Sequence, residues 1–377
     1  MVGTSADIIV IGAGMAGASV AAELSRSARV VLVERESQPG YHTTGRSAAL
    51  FTVAYGPAPI RALSRASHAF YRGEGPGNPP AGLIRPRGAL FVGRAAQAQA
   101  LAAMRDELGA AVEPCSAAAA CALLPILRRD YVAAALFDRD AADIEVHGLL
   151  QHYLKAFRAN DGALHLRAEV LGLTRAGDDW EVETGAGLLR APLVVNAAGA
   201  WADEVARLAG LRPLGLRPLR RTAMLVAPPA GTMSDTWPMA VDCEERFYLK
   251  PDAGKLLISP ADATPSAPCD ARPEEIDVAI CVDRIETAFE LRVRRIEHKW
   301  AGLRSFLPDG NPAVGYDPVA PGFFWLAGQG GYGIQTAPAM ARYAAALLRG
   351  APVPADIAAE GIGADSLSPT RAALAGQ

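Results

Sequence analysis

The fold of this chain is decided by the stretch IIVIGAGMAG at residues 8–17. Its pattern predicts a buried strand, a glycine turn and the start of a helix. Gly12 permits the tight turn, Gly14 lets backbone N–H groups approach a pyrophosphate, and Gly17 lets the helix pack closely on the strand. Glu34 ends the next apolar run 22 residues after Gly12, the spacing of an acid that accepts hydrogen bonds from a ribose. The stretch therefore predicts a dinucleotide site at the positive end of the helix.

The composition is that of an ordinary folded protein with room for two domains. Of its 377 residues, 50% are hydrophobic and 20% are charged, and the net charge of −3 gives no electrostatic basis for binding nucleic acid. No window approaches about 18 uninterrupted apolar residues, and residues 1–7 lack the basic region of a signal peptide. We therefore expect a cytoplasmic protein without a transmembrane segment.

The spacing of cysteine and histidine predicts neither disulfides nor a metal site. The five cysteines include no CxxC pair, and His147 and His152, on one predicted helix, lack a HExxH frame. We expect reduced thiols and no bound metal.

Two later segments repeat the pattern of a strand, a turn of small residues and a helix, namely NAAGAW at residues 196–201 and GQGGYG at 328–333. Residues 213–299 are strand-rich instead, apart from a helix at 276–291. A stretch rich in proline and glycine at 73–82 is a linker by composition, and the small-residue loop at 39–49 is expected to lead into a helix.

Three glycine-bearing turns far apart in sequence suggest one nucleotide domain assembled from separate segments. We predict an α/β fold (α+β overall) in which a discontinuous Rossmann-like domain carries an inserted β-rich domain. The Rossmann-like domain would comprise residues 1–82, 143–212 and 300–377, and the inserted domain residues 83–142 and 213–299.

Six motifs in order along the chain resemble the D-amino acid oxidase-like flavoproteins, the FAD-dependent oxidoreductases of the DAO superfamily, and all but the first most resemble the D-arginine dehydrogenase type of D-amino acid dehydrogenase. They are GAGMAG (12–17), GYHTTGRSAALFTVAYG (40–56), NAAGAW (196–201), FYLKPDAG (247–254), WAGLRSF (300–306) and GGYGIQT (330–336). The first glycine turn alone does not separate FAD from NAD, because both present ADP to the fold in the same way. The resemblance implies FAD, bound noncovalently since residues 45–49 and the last turn contain no cysteine. The inserted domain would then bind the substrate.

The resemblance also implies which residues contact FAD. Glu34 would bind the adenosine ribose, the backbone of Val170 would meet the adenine, and the turn at 330–335 would stabilise negative charge on the reduced ring. The full set expected to contact FAD is Gly12, Gly14, Ala16, Gly17, Glu34, Arg35, Thr43, Thr44, Gly45, Arg46, Ser47, Ala48, Ala49, Val170, Gly199, Trp201, Gly330, Gly331, Tyr332, Gly333, Ile334 and Gln335.

The resemblance places the substrate carboxylate on Arg221, Arg304 and Tyr248, and a tyrosine of a mobile lid at Tyr55. Arginine suits this role because its planar guanidinium matches a carboxylate with two hydrogen bonds. We expect Arg220, by contrast, to form only a surface ion pair. The remaining substrate-binding residues would be Leu50, Gly88, Met239, Val241, Gly331 and Gln335.

Two positions depart from the D-arginine pattern. Leu50 stands where a histidine is expected, and Gly88 where a glutamate would pair with a guanidinium. A buried cation without its partner is costly, so we expect arginine and lysine to be poor substrates and neutral or apolar side chains to be preferred.

The loss of that histidine leaves no evident base in the predicted pocket. Asp242, Glu244 and Glu245 would bind a cation only if their loop folded inward. Strand alternation places Asp242 opposite Met239 and Val241, which argues against that arrangement.

The leading hypothesis is an FAD-dependent D-amino acid dehydrogenase or oxidase. Hydride would pass from Cα to flavin N5, and the resulting imino acid would hydrolyse to a 2-oxo acid and ammonia. The alternatives are oxidation of secondary amines such as sarcosine through the same carboxylate site, and a flavoprotein that binds an amino acid as a sensor without turnover. The sequence leaves open the electron acceptor (a quinone, another carrier or O₂), the preferred side chain and the oligomeric state.

Overall fold

The structure, a computed structural model, describes residues 4–74 and 81–374. Residues 75–80 of the predicted linker lie outside that range. The α-helices of the described part are α1 Met15–Leu24, α2 Ala58–Tyr71, α3 Ala98–Leu108, α4 Ala117–Leu123, α5 Val146–Ala159, α6 Ala202–Leu208, α7 Glu275–Ala288, α8 Ala337–Leu348 and α9 Ala355–Ala359.

The strands alternate with these helices in the first and last parts of the chain and follow one another in the middle. They are β1 Thr4–Ser5, β2 Ile8–Ile11, β3 Val30–Val33, β4 Leu50–Phe51, β5 Ile84–Pro86, β6 Ala89–Gly93, β7 Glu113–Ser116, β8 Ala134–Asp138, β9 Ala142–Ile144, β10 Ala163–His165, β11 Val170–Ala176, β12 Asp179–Thr184, β13 Gly187–Ala191, β14 Leu193–Asn196, β15 Arg217–Val226, β16 Met239–Asp242, β17 Tyr248–Asp252, β18 Lys255–Ser259, β19 Thr264–Pro265, β20 Ile296–Phe306, β21 Ala313–Tyr316 and β22 Phe323–Ala327.

A six-stranded sheet has the order β10-β3-β2-β14-β22-β21, parallel except for β21. Strands β2, β3 and β22 are buried along their whole length, as expected for continuous apolar runs covered on both faces of a parallel sheet. The carboxyl ends of β2, β14 and β22 lead into the three small-residue turns, so these turns meet at one edge of the sheet. This arrangement confirms the predicted Rossmann-like fold, since ligands of such sheets bind beyond the carboxyl ends of the strands.

A nine-stranded mixed sheet is built around the long antiparallel pair of β15 and β20. Helix α7 contributes Val278, Cys281 and Ile285 to the apolar core on this sheet. Its strands come from residues 89–138 and 217–306, so β20 would cross the predicted boundary at 299 and 300. We retain the division into two domains as a proposal.

Two local predictions are wrong. Loop 39–49 does not lead directly into a helix: β4 follows it and pairs with β9, and the next helix, α2, begins at Ala58. Helix α7 ends at Ala288 rather than at residue 291, because Phe289 adopts an extended backbone and bridges Leu127. Among the described helices, none has the length and apolar character needed to cross a bilayer.

Candidate active site

The first glycine turn has no room for side chains. Gly12 has φ +100°, and a Cβ there would lie 2.5 Å from the carbonyl oxygen of Ala197 in the turn after β14. A Cβ on Gly17 would lie 1.8 Å from the carbonyl oxygen of Gly12. Gly12 therefore brings the β2 and β14 turns together, and Gly17 brings helix α1 against the strand, as the sequence predicts.

Two side chains hold this turn in place. Glu34 is 8% exposed, and its carboxylate accepts hydrogen bonds from the backbone N–H groups of Ala13 at 2.9 Å and Glu36 at 3.0 Å. Thr44 Oγ1 accepts a hydrogen bond from the backbone N–H of Met15 at 2.9 Å, at the start of α1. Glu34 thus supports the turn in addition to lining the cleft beside it.

That cleft runs along all three turns and contains about 1740 Å³ of empty space, including its open mouth. Most residues predicted to contact FAD line it. They are Gly12, Gly14, Ala16, Glu34, Arg35, Thr43, Thr44, Arg46, Ser47, Ala48, Val170, Gly199, Trp201, Gly330, Gly331, Gly333 and Ile334.

Five of the predicted cofactor residues lie elsewhere. Ala49 and Gln335 line a second, adjoining cavity. Gly17, Gly45 and Tyr332 line neither cavity; Gly45 approaches the carbonyl oxygen of Gly40, and Tyr332 packs against Tyr55.

The predicted arginines of the cleft are engaged with protein groups. Arg46 Nη1 donates to the carbonyl oxygens of Ala271 and Ala301, both at 3.0 Å, and Arg46 also pairs with Asp270. The guanidinium of Arg35 lies 4.9 Å from the centre of the Trp201 ring. Arg35 and Arg46 would therefore contact a ligand mainly through the side-chain surfaces that line the cleft.

The wall of the cleft keeps polar groups available for a nucleotide. Within residues 4–74 and 81–374, the backbone N–H groups of Gly14, Gly331 and Gly333 make no hydrogen bond. In the same part of the chain, His42 Nδ1 and Gln329 Nε2 are buried without a partner. Backbone N–H groups at helix starts suit phosphate and anionic rings, so the residues present fit a dinucleotide such as FAD.

The second cavity adjoins the cleft, shares Arg221, Tyr248 and Arg304 with it, and contains about 760 Å³ of empty space, including its mouth. The predicted substrate residues Leu50, Tyr55, Met239, Val241, Gly331 and Gln335 all line it.

Gly88 does not line this cavity, contrary to the prediction. It has φ +73°, and a Cβ there would lie 2.8 Å from the ring of Phe137. Residues that the sequence did not suggest, Thr52 and Phe91, complete the wall.

Arg221 on β15 and Arg304 on β20 lie on the wall shared by the two cavities. Arg221 Nε donates to the carbonyl oxygen of Asp262 at 2.7 Å, and Arg304 Nη1 donates to Tyr55 OH at 3.2 Å. In the described part of the chain, no acidic side chain lies within 4.0 Å of either guanidinium. The preceding residue, Arg220, forms ion pairs with Glu274 and Asp277 instead.

The surroundings set the charge properties of the two guanidinium groups. Burial, reinforced by the charge of Arg304, lowers the pKa of Arg221. Burial acts in the same direction on Arg304, but Tyr55, Tyr248 and Glu245 outweigh it and raise the pKa of Arg304 above its ordinary value. Two adjacent cations without an acidic partner favour an anion between them.

Glu245 lies at the rim of the second cavity, contrary to the expectation that this loop turns away. Its backbone has φ +54°, its side chain is exposed, and Tyr55 OH donates to Glu245 Oε2 at 3.5 Å. Asp242 does turn away, as strand alternation predicts, and accepts hydrogen bonds from Gln97 Nε2. A left-handed residue in a turn has no clear sequence signal when it is not glycine, asparagine or aspartate.

Histidine, cysteine, aspartate and glutamate residues form no group of three or more that could hold a metal ion within residues 4–74 and 81–374.

The fold and the cleft define a dinucleotide-binding protein, and comparison with known proteins gives the family. The family model described as "FAD dependent oxidoreductase" (DAO) matches residues 7–347. The chain belongs to this family, whose cofactor is FAD.

Individual relatives are more distant. The chain is 32% identical to glycine oxidase of Pseudomonas aeruginosa over 50% of each chain. It is 28% identical to the mitochondrial dimethylglycine dehydrogenase of Mus musculus over 56% of this chain and 26% of that protein. The chain thus matches only a quarter to a half of the length of these relatives.

Among solved structures, glycine oxidase from Geobacillus kaustophilus superimposes with a TM-score of 0.77 at 22% identity, covering 92% of this chain and 95% of that one. At this identity the likeness shows the fold alone. The finer resemblance to the D-arginine dehydrogenase type stays a prediction.

Proposed function

We propose that this protein oxidises the α-carbon of D-amino acids with neutral or apolar side chains, giving 2-imino acids that water hydrolyses to 2-oxo acids and ammonia. The observation that carries the proposal is the pair of guanidinium groups, Arg221 and Arg304, without an acidic partner in the described chain, where an apolar pocket adjoins the nucleotide cleft. When bound, FAD supplies the acceptor for the two electrons that leave the substrate. We take its binding to be noncovalent.

The arginines would bind the substrate carboxylate. Each retains terminal N–H donors, because Arg221 donates to Asp262 through Nε and Arg304 to Tyr55 through Nη1. Tyr248, 5% exposed, lies on the same wall. A carboxylate held by charge-assisted hydrogen bonds fixes the α-carbon at the junction of the two cavities, and such orientation is worth roughly 7–11 kcal/mol in favourable cases.

Tyr55 would cover the bound amino acid. Its ring lies 5.1 Å from that of Tyr332, and its hydroxyl contacts both Arg304 and Glu245, so it connects the carboxylate site with the pocket rim. Closure there excludes water from the reacting carbon. The described pocket wall offers only Glu245 as a carboxylate. Because Glu245 is exposed at the rim, we propose that the amine loses its proton to solvent.

The pocket favours apolar side chains because its wall is formed by Leu50, Phe91, Met239 and Val241. An exposed carboxylate interacts weakly with a cation in water, so Glu245 does not replace a buried partner for a guanidinium. It would still repel acidic side chains. We therefore expect neutral side chains to be best, cationic ones weaker and acidic ones weakest.

Anaerobic reduction of the holoprotein by single enantiomers tests the proposal. Loss of the oxidised flavin absorbance should follow addition of D-leucine or D-methionine and should not follow the L-enantiomers. Reduction by L-enantiomers alone would overturn the assignment. No reduction by any of the twenty amino acids in either configuration, or by sarcosine or N,N-dimethylglycine, would favour a binding role instead.

A second candidate is oxidation of secondary or tertiary amines that carry a carboxylate. The match to a dimethylglycine dehydrogenase favours it, and the same two arginines would bind such a substrate. Adding sarcosine and N,N-dimethylglycine to the same anaerobic measurement separates the two. Faster reduction by these amines than by any D-amino acid would support the second candidate.

A further inference from the structure

Within residues 4–74 and 81–374, the strand that carries Arg221 has no paired neighbour at this position on one side. On that edge, β15 pairs with β19 at Leu219 and Arg220 and with β18 from Met224 to Val226. On its other edge it pairs with β20 through Arg221, opposite Gly302. The loop of residues 260–263, between β18 and β19, lies beside the unpaired stretch.

Asp262 fills this gap in the sheet. Its carboxylate accepts hydrogen bonds from the backbone N–H of Thr222 at 2.6 Å and from the hydroxyl of Thr222 at 3.1 Å. Its carbonyl oxygen accepts from Arg221 Nε at 2.7 Å. One residue thus replaces the missing strand contact and fixes the neighbouring guanidinium.

The loop is held on its other side as well. Ser259 Oγ donates to the carbonyl oxygen of Thr222 at 2.5 Å and accepts from the backbone N–H of Ala261 at 3.1 Å. Ala261, with φ +52°, lines the second cavity. The side chain of Asp262 is 6% exposed and lies 3.8 Å from Arg220, so its charge is compensated without contact with the cavity.

We infer that Asp262 is a positioning residue for the substrate carboxylate. This inference rests on the proposed function, and Asp262 would act through Arg221. Because the Asp262 carbonyl oxygen binds Nε of Arg221, the terminal nitrogens of Arg221 remain available to the carboxylate. Removing the carboxylate frees the loop from Thr222 and lets the guanidinium shift.

Asp262→Ala tests this in the holoprotein, with isobutyrate as a carboxylate probe that lacks an amine. We expect the Kd for isobutyrate and the KM for D-leucine to rise about tenfold or more, with kcat changed much less, because a loosened guanidinium weakens carboxylate binding. Asp262→Asn, which keeps an oxygen for the Thr222 N–H, should recover most of the affinity.

Asp277→Ala is the matched control, since Asp277 is another buried acid near this strand that pairs with Arg220 and not with Arg221. It should lower thermal stability and leave isobutyrate affinity unchanged. Equal isobutyrate affinity in wild type and Asp262→Ala would overturn the inference alone. A wild type that binds no isobutyrate and is not reduced by D-leucine would overturn the proposed function and the inference with it.

If Asp262→Ala does not fold, Thr222→Val carries the test. It removes the hydroxyl bond to Asp262 and keeps the shape of the side chain. A rise of about threefold or more in the isobutyrate Kd would support the inference, since the Asp262 carboxylate then keeps only one of its two hydrogen bonds to Thr222. Unchanged affinity would contradict it.

Discussion

Arg220 and Arg221 are neighbours on β15, yet strand alternation sends them to opposite surroundings. Arg220, 8% exposed, pairs with Glu274 and Asp277 of α7 and its N-cap, so the expected ion pair exists but is buried rather than at the surface. Arg221 faces the cavities with Arg304. The same residue type is structural at one position and available to a ligand at the next.

Arg221→Lys should raise the KM for the amino acid substrate and leave bound flavin in place. Lysine keeps the charge but lacks the planar pair of donors, and losing one hydrogen bond to a charged group costs about 1.5–3 kcal/mol, or roughly 10- to 150-fold in binding. Steady-state kinetics with D-leucine measures the change. Arg220→Lys is the matched control and should leave KM unchanged, so equal effects of the two substitutions would contradict the assigned role.

Asp138 makes the stability of the fold depend on pH. It is 2% exposed, accepts from the Thr52 hydroxyl at 2.5 Å and from the backbone N–H groups of Asp140 and Ala141. Burial raises the pKa of Asp138 above 3.8, although these hydrogen bonds oppose the shift. Because the folded pKa is the higher one, the stability that this group contributes is complete below 3.8 and is lost as pH rises through the folded pKa.

Asp138→Asn keeps the shape of the side chain but cannot ionise, so the variant does not lose stability at this position as pH rises. The free energy of unfolding of the variant, relative to wild type, should therefore increase as pH rises from about 3.5 to about 7. Denaturant unfolding at several pH values measures the difference. A difference that stays constant or decreases over this interval would contradict the expected sign.

At the scale of the elements, three turns from separate parts of the chain form one cleft because β2, β14 and β22 are adjacent and parallel. Their carboxyl ends then coincide, and helices α1 and α8 begin near the same edge. The contact of Gly12 with Ala197 couples two of these turns directly.

Gly12→Ala should abolish FAD retention. A methyl group 2.5 Å from the Ala197 carbonyl oxygen forces the β2 and β14 turns apart. Gly177→Ala is the control, because Gly177 also has positive φ (+64°) but no atom of the described residues lies within 4 Å of its added Cβ. The flavin-to-protein absorbance ratio after purification measures retention. Equal loss of flavin in the two variants would show that backbone strain, and not the clash, governs the outcome, and full retention in Gly12→Ala would contradict the prediction.

At the scale of the whole molecule, the loop after Gly40 joins the two large sheets. Arg46 Nη1 donates to Ala271 and Ala301, and Thr43 Oγ1 donates to the carbonyl oxygen of Leu303 at 2.7 Å, 260 residues further along the chain. The loop is thus bound to β20 of the nine-stranded sheet, and the bond from Arg46 to Ala271 crosses between the two proposed domains.

Arg46→Ala should weaken this junction. It leaves the buried Ala301 carbonyl oxygen without its side-chain donor, which costs about 1–3 kcal/mol, and should lower both the unfolding midpoint and the temperature at which flavin is released. Arg29→Ala, which breaks an exposed ion pair with Asp7, should change neither. Thermal scans followed by circular dichroism and flavin fluorescence compare the two variants. A stable Arg46→Ala variant with unchanged flavin release would contradict the role of this loop.

The sequence by itself determined the nucleotide fold, the three turns and the arginine pair. Glycine turns, apolar strand runs and helix starts depend on residues a few positions apart, so local sequence patterns predict them. The cleft wall followed from motifs that are themselves local, such as residues 12–17 and 330–336.

Only the tertiary structure decided the features that depend on distant partners. It placed Glu245 at the pocket rim, removed Gly88 from the lining and put Asp262 in the gap beside Arg221. Arg46 lines the cleft as expected, but its guanidinium donates to carbonyl oxygens more than 200 residues away in the sequence. The type of a residue determines which contacts it is able to make. The contacts that it does make depend on how segments that are distant in sequence pack together.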